Sequence, residues 1–576
     1  MSTDFRVGHW LVEPSRNSIS GNGTSHRLEP KVMEVLVCLA EHAGSTLQKE
    51  ALLQRVWPDT FVTDDALKHC ISELRRVFED DPREPHVIET IAKRGYRFIA
   101  TVNRAVVSPS TALPVTHDSI AVLPFINMSS DLENEFFADG ITEEIINALA
   151  QIKDLRVVAR SSAFSFKGKH IDPRVVGEQL NVRTMLEGSV RRSGNRIRIA
   201  VQLINAADGF HVWSERYDRE MQDVFAIQDE IARSIAERLK IALEIRVEGP
   251  LVRTSTKNLE AYQLYIKGRA LLYRRGPMSP LALECLEHAV ALDPEYALAW
   301  ASIAEAHSLL SFYGFQHPEM SKPKWREAAH RAIAADEFLA EAHNALAIGS
   351  LWYDCNKIEA EREFLRALEL NPRYIQALDW YAIFYLQLAT NRLTEGVAHA
   401  KLAVEYDPLS GYTHAQLAYA YAGAGSPDEA VQSAQRAVEL VPDSISGRVA
   451  LQNAFYVSGR LEEGVAAGRV TLALCGRHPL AMAVLALTLG ESGKMTEAEA
   501  IYQEMMARAR CEYVSPSMCA YAAAAAARWD EAMGQVCEAL RIGDPVQWGL
   551  SSNWLCGRRV RTDSRIDQVL KEHGID

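Results

Sequence analysis

Apolar residues near the N-terminus come first in short runs and then at helical spacing. The short runs are broken by glycine, asparagine and proline, which predicts a small antiparallel sheet. Its strands are expected at 5–7, 10–12, 18–20 and 25–28. Three amphipathic helices should follow, from Pro30, from about Gln48 and from about Asp64, because apolar residues recur there at three- and four-residue spacing. Two further apolar runs, 86–91 and 96–99, predict a hairpin. This element order is that of a winged helix.

Strand and helix patterns alternate in the next part of the chain. A linker rich in serine, threonine and proline is expected over 104–117, and an α/β domain over 118–248. The predicted strands of that domain are 120–125, 155–159, 184–191, 196–204 and 210–217, and the predicted helices are 135–150, 173–180 and 224–243.

From about Leu259 the strand pattern gives way to alanine-rich helical segments. A two-residue turn signal, usually ending in proline, recurs at intervals of about 34 residues, with one longer insertion. The signals are Asp293-Pro294, Ala335-Asp336, Asn371-Pro372, Asp407-Pro408, Val441-Pro442 and His478-Pro479. Proline suits the first turn of the helix that follows each signal. The pattern predicts about six helix pairs within 258–576.

Composition and charge narrow the classes of function. The 576-residue chain has a formal net charge of −13, so any DNA contact must come from a local basic surface. Its nine cysteines include no CxxC pair, which argues against a disulfide framework and a zinc ribbon. The N-terminus lacks the apolar stretch of a signal peptide, and the longest apolar runs are too short to span a bilayer. We therefore expect a cytoplasmic protein with no membrane partner.

Common catalytic motifs are missing from the sequence. It contains no HExxH zinc motif, no GxxxxGK[ST] phosphate-binding loop and no GxSxG nucleophile elbow. We therefore predict no catalytic residue, no metal site and no cofactor, and a protein that is not an enzyme.

The N-terminal segment, 1–103, resembles the OmpR/PhoB-type winged-helix DNA-binding domain. The matching segments are LEPK at 28–31, LQRVW at 53–57, ISELRR at 71–76 and IETIAKRGYRF at 88–98. Each segment alone is a weak indication, but their order along the chain is specific. The resemblance implies double-stranded promoter DNA as the partner and a homo-oligomer on that DNA. It also implies contact with RNA polymerase through the loop 58–63, for which a plain connecting loop is an equal interpretation.

In that family the third helix enters the major groove and the tip of the hairpin reaches the adjacent minor groove. A helix in the major groove reads the distinct hydrogen-bonding pattern of each base pair. Basic and polar residues off the apolar stripe of the predicted third helix are therefore candidates for DNA contact, together with the basic residues of the hairpin. The candidates are Lys68, His69, Ser72, Arg75, Arg76, Lys93, Arg94 and Arg97.

The middle domain resembles the TolB-N-terminal-like, or FlgO-like, module of bacterial regulators. The matching segments are AVLPF at 121–125, FADGITEE at 137–144, LEGSV at 186–190 and WSERY at 213–217. Its carboxylates, Asp139, Glu143, Glu144 and Glu187, suit either acid–base or metal chemistry or, for those near 139–142, the start of a helix. Arg160-Ser161-Ser162 suits an anion site or a helix cap. Ligand sensing, dimerisation and rigid spacing remain open roles for this domain.

The C-terminal region resembles tetratricopeptide repeats, which stack into a superhelix with a concave binding face. A protein or peptide partner in that groove is expected. The aromatic residues Trp300, Trp380, Tyr381 and Tyr385 suit either the groove or the packing between helices.

Together these features predict a multidomain chain with an α+β winged helix, an α/β middle domain and an all-α tetratricopeptide-repeat superhelix. The order resembles the layout of HilA- and CadC-type activators, without a transmembrane segment. We predict a sequence-specific transcriptional regulator of bacterial promoters whose repeats bind a partner or signal. The alternatives are a protein-interaction scaffold whose winged helix does not read DNA specifically, and an enzyme housed in the α/β domain.

Overall fold

The chain folds into two compact units, one within Met1–Pro114 and the other within Val115–Asp576. Each has an apolar core of its own. The computed structural model describes residues 5–7, 10–14, 18–21, 24–44, 46–56, 64–78, 80–83, 85–91, 94–100, 102–104, 119–129, 134–150, 152, 155–169, 171–238, 256–274, 278–551 and 555–575.

The first unit opens with an antiparallel sheet of order β4-β3-β2-β1-β8. Its strands are β1 (Phe5–Val7), β2 (Trp10–Glu13), β3 (Ser18–Gly21), β4 (Thr24–Arg27) and β8 (Val102–Arg104). The four predicted N-terminal strands are present. The edge strand β8, which pairs with β1, was not predicted, and it ends just inside the segment expected to be linker.

Three helices and a second small sheet complete this unit. The helices are α1 (Pro30–Glu41), α2 (Lys49–Val56) and α3 (Asp64–Phe78), and the strands β5 (Thr46–Gln48), β6 (Ile88–Ile91) and β7 (Gly95–Phe98) pair in the order β5-β7-β6. The apolar stripe of α3 is buried against α1, as the helical spacing predicts. The winged-helix arrangement is present in the structure.

The second unit begins with a mixed sheet of order β11-β9-β12-β13-β14, in which β10 also pairs with β12. Its strands are β9 (Ser119–Val122), β10 (Ile126–Asn127), β11 (Arg156–Val157), β12 (Thr184–Ser193), β13 (Arg196–Asn205) and β14 (His211–Glu220). The pairs β11–β9 and β9–β12 are parallel, and the long strands β12 to β14 are antiparallel.

Helices cover both faces of this sheet. They are α4 (Asn134–Ala150), α5 (Arg160–Phe164), α6 (Pro173–Leu180) and α7 (Val224–Arg238), with a 3-10 turn at Met221–Asp223. Helices α4 and α7 pack in one apolar core with Leu186 and Ile199, whereas α5 and α6 pack in another with Met185 and Ile204. The first of these cores continues into the helical region that follows, so the two parts of this unit share apolar packing.

The remaining chain is helical. In the described residues, sixteen consecutive helical segments form eight antiparallel pairs. The pairs are α8 (Leu259–Arg274) with α9 (Ser279–Leu292), α10 (Ala297–Phe312) with α11 (Pro318–Ala335), α12 (Ala340–Asp354) with α13 (Lys357–Leu370), α14 (Ile375–Trp380) and its π-helical continuation Tyr381–Ala389 with α15 (Leu393–Tyr406), α16 (Gly411–Gly423) with α17 (Pro427–Leu440), α18 (Ile445–Val457) with α19 (Leu461–Leu474), α20 (Pro479–Glu491) with α21 (Met495–Arg508), and α22 (Pro516–Ala525) with α23 (Trp529–Ile542). A 3-10 segment (Pro545–Leu550), α24 (Leu555–Val560) and α25 (Ser564–Glu572) end the chain.

Eight pairs exceed the predicted number of about six. The six turn signals mark six links, which join seven pairs, and the link between α21 and α22 is a longer segment without the signal. Of the four aromatic residues considered for the groove, Trp380, Tyr381 and Tyr385 are buried, and Trp300 is partly buried beneath the guanidinium of Arg331.

Among the described helices of the structure, we find none that is both long and apolar enough to cross a membrane.

Candidate DNA-binding surface

Helix α3 separates an apolar face from a polar face. Leu67, Ile71 and Leu74 are at most 2% exposed and anchor the helix in the core of the first unit. Burying three such side chains contributes several kcal/mol in total, at roughly 1.5–3 kcal/mol each. The helix orientation is therefore set by its apolar stripe, and the opposite face is left to the solvent.

Four of the predicted DNA contacts lie on the exposed part of α3. They are Lys68, His69, Ser72 and Arg76. Lys68 Nζ lies 2.8 Å from Asp65 Oδ1. The side chain of Arg76 is 76% exposed, and its Nη2 makes a loose ion pair with Glu73 Oε1 at 3.9 Å. Such exposed ion pairs are worth at most about 1 kcal/mol and exchange readily for other partners. These cations can therefore turn toward a phosphate at little cost.

Arg75 has a different environment from its neighbour Arg76. Its side chain is 14% exposed, and Nη2 donates hydrogen bonds to the carbonyl oxygen of Ile88 at 2.8 Å and to Thr90 Oγ1 at 2.9 Å. Arg75 thus ties α3 to strand β6 of the wing. Arg75 is therefore a positioning residue, which holds α3 against β6.

Asp80 is a positioning residue that sequence reasoning did not identify. Its buried carboxylate accepts hydrogen bonds from the backbone N–H groups of His86 (2.5 Å), Val87 (2.9 Å) and Ile88 (2.9 Å), and its own N–H donates to the carbonyl of Arg75. A carboxylate that satisfies three backbone donors is a strong local restraint. It fixes the segment 86–88, which leads into β6, against the end of α3. No pattern in a single sequence distinguishes it from its acidic neighbours.

The wing carries the remaining candidates. Arg94 is exposed at the turn, where its N–H donates to the carbonyl of Ile91. Arg97 donates to Glu89 Oε2 across the β6–β7 register, through Nε at 2.9 Å and Nη2 at 2.5 Å. Lys93 and the loop 58–63 lie outside the described residues. Arg94 is therefore presented at the tip, whereas Arg97 stabilises the hairpin.

An open cleft of about 550 Å³ runs between α3 and the base of the wing. The structure brings four of the predicted residues together there, namely Lys68, Ser72, Arg75 and Arg76. His69, Arg94 and Arg97 are not among the residues that line the cleft. A basic and polar surface on α3 is thus present beside a cleft that Asp80 and Asp81 also line, in a chain with a formal net charge of −13.

The carboxylates of the middle domain do not form a metal site. Among the described residues, no group of three or more His, Cys, Asp and Glu side chains is placed to hold a metal ion. Lys167 Nζ lies 2.6 Å from Asp139, and Arg160 Nε lies 2.9 Å from Glu143 Oε2. The helix predicted over 135–150 is present as α4, so 139–142 lie inside it and their interpretation as a helix start is wrong.

Of the two roles predicted for 160–162, the structure does not show the helix cap. The residue that precedes α5 makes no side-chain cap. Instead, the Ser162 N–H and hydroxyl both donate to Asp407 Oδ1 of the helical region, at 2.9 and 2.6 Å. The buried Ser162 therefore links the middle domain to a repeat turn.

Glu144 supplies a pH-dependent contribution to stability. Burial raises its pKa to about 8, and repulsion from Glu143 and Glu341 adds to the effect. The folded state therefore binds more protons than the unfolded state between the ordinary pKa of 4.5 and about 8. The contribution of Glu144 to the free energy of unfolding is therefore fully present below pH 4.5, and it falls as the pH rises from 4.5 to about 8.

We expect Glu144→Gln to flatten this pH dependence. Hydrogen exchange of the full chain in peptides that cover α4, corrected for intrinsic exchange rates at several pH values between about 5 and 8, should show a smaller fall in stability for the variant, by at most about 1.4 kcal/mol per pH unit. The exposed Glu178→Gln, on α6 of the same domain, is the matched control. Parallel pH profiles for the parent and Glu144→Gln would contradict the assignment.

The fold and the basic face of α3 define a winged-helix DNA-binding domain joined to a mixed α/β domain and a helical array. Residues 23–98 match the family model "Transcriptional regulatory protein, C terminal". Residues 116–234 match the model "HilA/YgeH-like transcriptional regulator, second domain". The predicted OmpR/PhoB-type domain is thus confirmed, and the middle domain that follows it is HilA-like.

Three curated relatives illustrate the similarity. "Putative adenylate cyclase 3" of Rhizobium meliloti is 40% identical over 250 residues, or 42% of each chain. The transcriptional regulator HilA of Salmonella typhimurium is 26% identical over 338 residues, or 56% of each chain. The transcriptional activator CadC of Escherichia coli is 43% identical over 98 residues, 17% of this chain and 19% of CadC. The chain thus spans about half the length of the first two relatives.

Proposed function

We propose that the protein is a sequence-specific DNA-binding regulator of transcription. The observation that carries this proposal is the exposed basic face of α3 beside the wing, within a domain of the transcriptional-regulator family. Phosphate contacts from such a face provide salt-dependent affinity, and contacts to base edges provide specificity. Regulators named HilA and CadC are among its relatives, which supports the same function.

The eight residues predicted to bind DNA have two different roles in this proposal. Lys68, His69, Ser72 and Arg76 touch DNA from the helix, and Arg94 with Lys93 touches it from the wing. Arg75 and Arg97 hold the helix and wing in position through their hydrogen bonds to β6. Replacing an Arg that binds phosphate should therefore weaken binding without unfolding, whereas replacing Arg75 should loosen the wing.

Genome-wide binding by the intact protein tests this function. The parent should give discrete promoter peaks, and a variant with Lys68, Arg76 and Arg94 changed to alanine should lose them. Arg27→Ala, which removes an exposed arginine of strand β4, is the matched control and should keep the peaks. Identical profiles for the triple variant and the parent would favour the scaffold alternative.

A binding titration separates the two arginine roles. We expect Arg76→Ala to weaken binding to a peak sequence by about tenfold and to lower the salt dependence by about one phosphate contact, with unchanged thermal unfolding. Arg75→Ala should lower the unfolding temperature of the first unit as well as the affinity. Equal thermal stability of both variants would contradict the positioning role of Arg75.

The helical region is, in this proposal, a tetratricopeptide-repeat superhelix that receives a signal. The antiparallel pairing of α8 to α23 and the recurring turn signal support it. We also propose the division into 1–103, 104–117, 118–248 and 258–576. Contact with RNA polymerase, a homo-oligomer on DNA, the cytoplasmic location and the TolB-like relationship of the middle domain stay predictions.

We further propose that the chain is not an enzyme, although one relative bears the name of an adenylate cyclase. The similarity extends over 42% of that relative, and the two families matched by this chain are transcriptional regulators. Purified protein incubated with ATP and Mg²⁺ or Mn²⁺ should form no cyclic AMP above a protein-free control. Turnover that survives repurification would overturn this part of the proposal.

A further inference from the structure

The helical array curves until distant pairs touch. His478, at the start of α20 in the seventh pair, places Nε2 3.1 Å from the carbonyl oxygen of Tyr313, which follows α10 in the second pair. Arg541 at the end of α23 lies 3.3 Å from Glu319 of α11. These contacts span more than 160 residues of sequence. The inner face of the array is therefore enclosed by its own helices.

The segment Pro545–Leu550 crosses this inner face. The indole of Trp548 is 1% exposed, and its Nε1 donates to the carbonyl oxygen of Leu351, while the amide of Gln547 donates to that of Trp352. Asp544, which precedes the segment, accepts from Ser515 Oγ at 2.6 Å. The chain thus occupies part of the concave face that would otherwise receive an extended peptide.

A cavity of about 110 Å³ remains beside this segment. Its walls are mainly aromatic and aliphatic, and they include Phe312, Phe384, Val449, Val484, Tyr521 and Trp548. A cavity of roughly 150 Å³ lined by apolar side chains stays dry and accepts benzene. The volume of the present cavity suits a molecule of about the size of benzene, not a peptide.

Charge narrows the class of ligand. None of the described residues that line the cavity is Asp, Glu, Lys or Arg. Burial lowers the pKa of His478, which therefore stays neutral near neutral pH. An ionised ligand would lose its hydration without gaining a counter-charge, which is costly. A neutral ligand is therefore required.

One residue of the cavity wall has a buried hydrogen-bond acceptor without a partner. Asn453 of α18 is 3% exposed, and its Oδ1 has no hydrogen-bond partner in the structure. A buried polar atom without a partner costs about 1–3 kcal/mol. A ligand that carries one N–H or O–H donor would satisfy Asn453 while its ring fills the apolar space.

We propose that this cavity binds a small, uncharged, ring-containing molecule whose single hydrogen-bond donor is accepted by Asn453 Oδ1. The site lies wholly within the helical array, so the proposal is independent of DNA binding. It makes the array a receptor for a small molecule rather than for a peptide.

Three fluorinated probes test the site on the full chain by ¹⁹F NMR titration. 4-Fluorophenol has the donor, fluorobenzene lacks it, and 4-fluorobenzoate carries a charge. We expect saturable binding of the first two and none of the third at the same concentration. The absence of saturable binding of both neutral probes, or tight binding of the benzoate, would overturn the proposal.

Two variants assign the binding to this cavity. Asn453→Leu should weaken 4-fluorophenol binding by about tenfold and leave fluorobenzene within about twofold, so that fluorobenzene also reports an intact cavity. Val449→Phe, which fills the space, should abolish both, whereas the exposed Ile358→Phe on α13 should abolish neither. Equal weakening of both probes by Asn453→Leu, or retained binding in a folded Val449→Phe, would refute the assignment.

Discussion

Changing Gly95 to alanine is expected to lower the free energy of unfolding of the winged-helix unit by about 3 kcal/mol or more. Gly95 has a φ of +152° at the start of β7. An added Cβ would lie 1.9 Å from the carbonyl oxygen of Leu47 in β5. Because that neighbour is backbone and not a flexible side chain, the strands must separate to make room. The wing would lose its pairing with β5, and with it the DNA binding that we propose.

Gly44→Ala provides the matched control. Gly44 also has a positive φ, +82°, but nothing lies within 4 Å of the position of its Cβ. Only backbone strain should count there, at about 1 kcal/mol. Hydrogen exchange of the full chain, followed in peptides from the first unit, measures both variants without assuming that the whole protein unfolds in one step. Similar losses of protection in the two variants would contradict the steric explanation.

Helix α3 shows what sequence reasoning reaches and where it stops. The spacing of Leu67, Ile71 and Leu74 predicts which side of α3 is buried, and so which cations face outward. It does not distinguish Arg75 from Arg76, because the partners of Arg75 lie 13 and 15 residues further along the chain. The same applies to Asp80, whose three donors become neighbours only after the turn into β6 has formed.

Short strands were missed for a related reason. Strands β5 and β8 have three residues each, too few for a period of two to be visible, and their pairing with β7 and β1 brings together distant segments. In the helical region, local turn signals predict the pairs well. They carry no information on curvature, so the return of Trp548 to the carbonyl of Leu351, nearly 200 residues earlier, is a property of the folded array alone.

The contact between Ser162 and Asp407 also joins residues that are distant in the sequence. We expect Asp407→Ala to weaken the docking of the middle domain on the helical region by about 3 kcal/mol. Asp407 is 1% exposed and accepts both the N–H and the hydroxyl of Ser162, whose oxygen in turn accepts the N–H of Leu409. Removing the carboxylate leaves two buried donors without an acceptor. The bond from Arg373 Nη1 to the carbonyl of Leu155, 2.7 Å long, also joins the two parts, but it does not involve Ser162 and leaves both of its donors unsatisfied.

Hydrogen exchange of the full chain checks the expectation. Peptides that cover α5 and the turn at Asp407 should exchange faster in Asp407→Ala, while those of the first unit should not change. Asp407→Asn keeps an acceptor oxygen of the same shape and should restore most of the protection. Asp336→Ala is the matched control, because Asp336 occupies the corresponding repeat turn, where its side chain accepts the local N–H of Phe338. Equal exchange of α5 in Asp407→Ala and Asp336→Ala would contradict this expectation. The docking of the middle domain would then rest on the apolar packing of α4 against α8, where Gly140 contacts Ile266.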